Sequence, residues 1–561
     1  MYPFDVESAV NFLRIYIVNI ALHISLIKCI GLILAIYVYF GYLVPWYYTK
    51  IYNPWKKMGI KYFEPIFWYG TYKDNLEKPL HEVENARYNK YKDSSIYGYF
   101  QGATPVISVC NIEKVPRISA CPLKPVLSTG NKVVDSMFTF FSKDRWNRAR
   151  GTVKKAFDKQ SLKNMFDEIT DKSNKLVARI KIQTEKGDPI NVKKVFGTFT
   201  MEVIVKACFD TDIDAINNPN NKYMEYGSRI FDRGNELGEK LVFLSHYPTI
   251  TKWLGFLSDN EAMMFFRNEA IKIIQKRWHS GSVKDDLLRK LLDTRFDNEE
   301  VSNGKMLNGS VDLSANSKEL GMFTLEEITS QCVLFFLGGY HTVSTALTMT
   351  CYLLATNEEV QNTLRDKIDE VIIRDNGKFT FDALDDIEYL KFVIYETLRL
   401  YPSTTKIERV ADANYTVEGT DVVIPKGMHL SIPLCSIHRD PDNYEDADKF
   451  DPSRFLRDPP NKNKYLPFGI GPRKCIGENF GMMEMKICLV HIIGNFKIEV
   501  CPLTKIPPEF GLALQGFLQI EEMMLKLTPR ENPPFTQTYS TGSYQIKETN
   551  GIISTSIPKE I

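Results

Sequence analysis

The chain has 561 residues, and its 70 Lys and Arg against 69 Asp and Glu leave a net charge of +1, so there is no global argument for nucleic acid or any other polyanion. Its ten cysteines are scattered with no C-x-x-C pair, which excludes a disulfide scaffold and fits a reducing compartment. No H-E-x-x-H and no G-x-x-x-x-G-K-[ST] occurs, so neither a zinc hydrolase nor a P-loop enzyme has support, and redox chemistry would need electrons from a separate partner.

Cys29 to Thr49 is uncharged and strongly apolar. As a helix it would span roughly 30 Å, the hydrocarbon thickness of a bilayer. Tyr42, Trp46, Tyr47 and Tyr48 sit where an interfacial aromatic belt belongs; Lys50, Lys56 and Lys57 follow, with Asp5 and Glu7 on the other side. The spacing predicts a single-pass anchor over residues 1–53 with the body in the cytosol, and no cleavable signal peptide. Ile15 to Ile27, interrupted by Asn19 and His23, predicts an interfacial or half-buried helix, a second anchor being the alternative. Pro54 and Pro65 mark a hinge, and Gly98 to Cys110 alternates as short strands do. Lys143 opens a helix on which Trp146 and Arg150, four apart, share one face.

From Phe157 to Trp278 the pattern is that of amphipathic helices, broken by the turn-rich Asp210–Lys222. Phe231 to Phe256 is apolar with few charges and is either core or a substrate entrance touching lipid. Phe296 to Lys318 predicts a surface loop, and the glycosylation triplets at Asn308 and Asn414 would be unused in a cytosolic body.

Thr324-Leu325-Glu326-Glu327 is a capping box opening a long helix to about Ala355. Two adjacent glycines, Gly338 and Gly339, interrupt its apolar middle at a cost of about 1 kcal/mol each relative to alanine. They imply either the close approach of a flat ligand or tight helix–helix packing. A second capped helix is expected from Thr356 and Glu359. Glu396 and Arg399, three apart in a nearly all-apolar helix, are expected to be buried and in need of partners. Phe468 to Gly477 is a Gly/Pro-punctuated loop ending in Cys475, next to Arg473 and Lys474 and just before a helix from Glu478 to about Gly494. A thiolate there faces helix N–H groups and the positive end of the macrodipole, and thiolate is the ligand that pushes electron density onto a haem iron. In this reading Phe468 shields the sulfur, Gly471 admits close backbone approach, Gly477 lets the helix pack closely and Arg473 pairs a carboxylate. Beyond Arg530 the chain turns polar and predicts a disordered tail over 531–561.

Phe468, Gly471, Arg473, Cys475 and Gly477 resemble, in type and spacing, the haem-binding loop of the cytochrome P-450 family of haem-thiolate monooxygenases. The resemblance runs from about Pro54 to Arg530. It implies a mainly α fold with a small β-rich subdomain, here preceded by an N-terminal transmembrane helix, with the catalytic domain over 54–530. It implies haem b with Cys475 as axial thiolate ligand, and Trp146, Arg150, Arg409 and Arg473 holding its propionates. It places Gly338, Gly339 and Thr342 on the oxygen-binding helix, with Thr342 as a proton relay. Where the family has an acid, this chain has His341, which either shares that relay or marks altered chemistry. Glu396, Arg399 and Arg454 would form a structural brace behind the Cys475 loop. The proline cluster usual after the anchor is sparser here. The phrasing around these motifs is similar to the animal microsomal clan that includes the family-three drug-metabolising enzymes and thromboxane synthase.

The resemblance implies an endoplasmic reticulum enzyme that inserts one oxygen atom into an apolar small molecule. Electrons would come from NADPH–cytochrome P-450 reductase, with cytochrome b5 as a further candidate partner and lipid as its setting. Lys143, Arg145, Arg148 and Lys474 are the expected basic docking face. The alternatives are a haem-thiolate isomerase of a lipid peroxide needing no reductase, and a non-catalytic haem or lipid binder.

Overall fold

The computed structural model describes residues 14, 16, 26–46, 53–66, 69–102, 104–122, 132–231, 260–294, 323–512, 516–535, 545–549 and 552–556. Most of Ile15–Ile27, nearly all of Phe231–Phe256, the Phe296–Lys318 loop and Asn308 fall outside them.

Helix α1 (Leu26–Leu43) is the apolar N-terminal segment, long and apolar enough to cross a membrane, with only 6% of its window covered by protein. Twelve positions later Trp55 is fully buried, in a short helix (Pro54–Met58) capped by the Asn53 side chain. Its indole lies across Gly98, where a Cβ would come within 2.4 Å of it. Only glycine lets the indole lie flat on that strand, so the chain just after α1 is fastened into the β-rich subdomain.

That subdomain carries a four-stranded sheet of β1 (Ile96–Gln101), β2 (Thr104–Val109), β3 (Ile407–Val410) and β4 (His429–Ile432), in the spatial order β1-β2-β4-β3. Only the β2–β4 pair is parallel, with Ile107 opposite Leu430. Helix α2 (Leu80–Tyr91) joins it through Tyr88, whose hydroxyl donates to Asp440 at 2.7 Å.

The larger core is helical. Helix α3 (Lys143–Lys154) precedes α4 (Lys159–Thr184) and α5 (Val192–Phe209); α6 (Leu325–Thr356) runs through the middle, packed along α5. Helix α7 (Glu388–Leu400) and helix α8 (Glu478–Asn495), the latter against α4 and α6, complete the frame of the site. The Thr324 capping box is present in both directions.

Two local expectations change. Thr356 does not cap the helix that follows; it is the last residue of α6, and its hydroxyl turns back to the Tyr352 carbonyl at 3.0 Å. Asn357, in the cap position of the next helix, likewise uses its amide on the Leu353 carbonyl at 2.8 Å. The end of the chain, expected to be disordered, contains an antiparallel pair, Gln545–Thr549 with Ile552–Ser556.

Candidate active site

Gly338 is the one exposed residue of α6, in the middle of an otherwise covered 32-residue helix, and a Cβ there would meet no atom within 4 Å. Gly339 is different, because a Cβ on it would lie 2.6 Å from Ile204 Cγ1 on α5. The two readings of the glycine pair are therefore divided between them: Gly339 serves helix packing and Gly338 leaves a face open.

Thr342, one turn beyond Gly338 on the same face, is half-buried, and its Oγ1 donates to the Gly338 carbonyl at 2.6 Å. His341 points about 100° away from Thr342 around the helix. It is buried at 3% exposure, stacked 4.5 Å from the Phe231 ring at 5° and edge-on to Phe517 at 5.7 Å. It lies between two aromatic rings.

The Cys475 loop is closed by the Cys475 amide donating to the Phe468 carbonyl at 2.8 Å. Gly469 and Gly471 have φ of 82° and 71°, and a Cβ on Gly471 would sit 2.1 Å from the Ser119 carbonyl oxygen, so close backbone approach does require glycine there. Phe468 is half-buried. Gly477 differs from expectation, since a Cβ on it would meet nothing within 4 Å. Its amide instead favours the thiolate, acting to lower the Cys475 thiol pKa.

Cys475 itself is ringed by protein yet keeps an accessible face. Burial raises its thiol pKa, opposed by the Gly477 amide and by Arg150 and Lys474. In the first turn of α8, a Cβ on Gly481 would be 3.6 Å from Val343 of α6. The exposed Gly338 and Cys475 and the half-buried Thr342 belong to the two segments that meet there.

Trp146 lies between two guanidiniums, with Arg473 Cζ 3.8 Å and Arg150 Cζ 5.3 Å from its ring centroid. Arg150 donates to the Lys474 carbonyl at 2.6 Å, and Arg473 to the Thr139 carbonyl at 3.4 Å. Arg409, at 2% exposure, donates one nitrogen to the Glu408 carbonyl at 2.9 Å, while its Nε is buried without a hydrogen-bond partner. Among the described residues none of these arginines pairs with a carboxylate, so the expected Arg473 pair is not made within the chain. Burial, then Arg473, pulls Arg409 down to about 10; burial, then Arg150, does the same to Arg473. Adjacent cations without a counter-ion, an orphaned Arg409 nitrogen, an open glycine face and a partly exposed thiol fit a flat group with anionic arms and a soft-ligand metal.

Behind the loop, Glu396 accepts from Arg399 Nε at 2.7 Å and Nη2 at 2.8 Å, from Arg454 Nε at 2.9 Å and from the Asp451 amide at 3.0 Å. Arg399 also donates to the carbonyls of His438 at 2.8 Å and Ala447 at 2.6 Å. His438 in turn accepts the Leu466 amide on Nε2 at 2.8 Å, tying the brace to the strand of chain that enters the Cys475 loop. The Ile437–Pro441 turn contains that histidine, but nothing in its spacing announces the bond to Leu466. The expected basic docking face is reduced, since Arg145 pairs with Glu327 and Lys474 with Glu478 at 2.7 Å.

The family model for cytochrome P450 matches residues 59–527, and the chain belongs to that family of haem-thiolate monooxygenases. Within it the similarity is to family-three enzymes. Cytochrome P450 3A11 of Mus musculus is 30% identical over 500 residues, 86% of this chain and 94% of that protein. Cytochrome P450 3A2 of Rattus norvegicus is 31% identical over 499 residues, again 86% and 94%. Cytochrome P450 3A29 of Sus scrofa is 29% identical over 497 residues, with the same shares.

Proposed function

We propose that the chain is a membrane-anchored monooxygenase that holds haem b on the Cys475 thiolate and oxidises an apolar small molecule. Bound there, the haem would supply the activation of dioxygen, with electrons delivered by NADPH–cytochrome P-450 reductase. The observation that carries this reading is Cys475: a sulfur enclosed by protein but not capped by it, supported by the Gly477 amide. Arg150, Arg409 and Arg473 would hold the propionates, with Trp146 keeping Arg150 and Arg473 in place by stacking. Thr342, whose own proton is committed to the Gly338 carbonyl, offers its lone pairs to the cleft and would pass protons from water. Glu396, Arg399 and Arg454 act structurally, behind the loop. Helix α1 would anchor the protein in the endoplasmic reticulum membrane, with the body in the cytosol as the lysines after it favour.

The carbon monoxide difference spectrum of the reduced, full-length protein tests this reading. A red-shifted Soret band is expected in the parent and should vanish in Cys475→Ser. A band at the histidine-ligated position, or none from folded protein, would overturn it.

His341 favours a second reading. An acid is usual at that place, and here a ring lies between Phe231 and Phe517. A site poor in proton donors suits the rearrangement of a lipid hydroperoxide without a reductase. Turnover of a fatty-acid hydroperoxide in the absence of NADPH separates the two.

A further inference from the structure

Over Gly338–Thr342 of α6, four carbonyl oxygens accept a side-chain hydroxyl: Gly338 from Thr342 at 2.6 Å, Tyr340 from Thr200 at 3.0 Å (Thr200 also lies 3.3 Å from the Gly197 carbonyl of its own helix), His341 from Ser344 at 3.1 Å and Thr342 from Ser403 at 2.7 Å. A hydroxyl on a helix carbonyl competes with the amide four residues on, lengthens that bond and bends the helix locally. The two outside donors reach α6 from different elements. Thr200 is fully buried on α5, the helix that also fills the space at Gly339. Ser403 lies in the chain just after α7, and its carbonyl accepts the Leu518 amide at 2.9 Å. Two residues on, Thr405 donates its amide to the Gly516 carbonyl at 2.7 Å and its hydroxyl at 3.0 Å. Ser403 is therefore held by its backbone to the 516–518 segment while its side chain holds α6.

We propose that Ser403 is a positioning residue for the chemistry at Thr342. Its hydroxyl fixes the Thr342 peptide, with Thr200 holding the Tyr340 peptide from the α5 side. Between those two points the Thr342 hydroxyl, already a donor to Gly338, keeps its lone pairs directed at the open face. Without Ser403 the turn relaxes toward a regular helix and Thr342 turns with it. The inference rests on the reading of Thr342 as the proton relay.

The test uses the full-length, haem-loaded protein with a flavoprotein reductase, following hydrogen peroxide released per NADPH consumed. The parent, Ser403→Ala, Ser403→Thr, Thr342→Val and the Ser403→Ala/Thr342→Val pair are first matched for their carbon monoxide difference band. Thr342→Val and Ser403→Ala should each raise the peroxide share about twofold, and the double variant should equal Thr342→Val alone. Ser403→Thr should restore the parent value. A second readout needs no turnover: in Ser403→Ala, exchange of the Ala346 amide, which shares the Thr342 carbonyl, should slow about twofold. Loss of a merely structural tie would speed it.

Additive effects in the double variant, a peroxide share in Ser403→Ala equal to the parent's, or faster exchange at Ala346 would overturn the positioning role alone. A silent Thr342→Val would overturn the relay reading and this inference with it. Should Ser403→Ala not take up haem, Ser403→Cys, a weaker donor of similar size, carries the same comparison.

Discussion

Arg399 and Arg409 lie ten positions apart and are almost equally hidden, at 0% and 2% exposure, yet their surroundings are opposite. Around Arg399 the charge is answered within the chain: the Glu396 carboxylate takes two of its nitrogens, a second arginine shares that carboxylate, and backbone carbonyls take the remainder. Around Arg409 it is not. The charge that acts on it most is another cation, Arg473, itself beside Arg150, and its Nε has no acceptor. A buried ion is tolerated when its partners accompany it. The first cluster is complete as the chain folds, and the second has no carboxylate to answer it among the described residues. The difference separates scaffold from binding site more sharply than burial does.

The largest effect should come from breaking the complete cluster. Glu396→Ala leaves Arg399 buried and uncompensated and the half-buried Arg454 without its carboxylate, which costs about 3–5 kcal/mol, a large part of a stability of roughly 5–15 kcal/mol. Denaturant unfolding should show a collapsed midpoint or no folded protein. A midpoint within about 1 kcal/mol of the parent would mean the cluster is not the scaffold described here.

Acid attacks the same end more mildly. Burial, then Arg399, holds His438 down to about 3, so in the folded protein it stays neutral and accepts the Leu466 amide. The unfolded chain takes up that proton near pH 6.5, so this stability is complete above 6.5 and is lost as pH falls toward 3. By pH 5 the loss is about 2 kcal/mol. Comparing midpoints at pH 7.5 and 5, His438→Gln should lack this component of the slope; an unchanged slope would remove His438 from the account.

The smallest effect should have the opposite sign. Arg409→Met removes one of several unanswered charges, so the haem-free protein should be as stable as the parent or gain about 1 kcal/mol. The same variant should release haem about tenfold faster, read by transfer to apomyoglobin. A destabilised haem-free protein would show that Arg409 is structural after all, and the contrast with Arg399 would fail.

Much of this was legible in the sequence because it is local. The capping box at Thr324 and the Cys475 loop are set by neighbours a few residues apart, and α6 and α8 end within a residue of where the pattern places them. Glu396 with Arg399 was legible for the same reason. Failures came where one side chain had two possible uses. Thr356 looks like the cap of the next helix but spends its hydroxyl on the end of α6. Gly338 and Gly339 are indistinguishable until α5 arrives against only one of them. Ser403 on Thr342 and His438 on Leu466 join residues 61 and 28 positions apart, and no spacing rule reaches that far. The terminal strand pair was missed for a plainer reason: Asn550-Gly551, between its strands, is a strong hairpin signal inside an otherwise polar tail.

The burial of Trp55 has a mechanical consequence. Twelve residues separate Leu43, the end of the apolar helix, from an indole locked across Gly98. Fully stretched, that leash reaches at most about 40 Å. With α1 in a bilayer, the β-rich end cannot wander farther than that from the lipid surface. A substrate dissolved in that membrane would then meet the enzyme at a local concentration set by its partition into lipid. Catalytic rates across a substrate series should follow membrane solubility before they follow concentration in water.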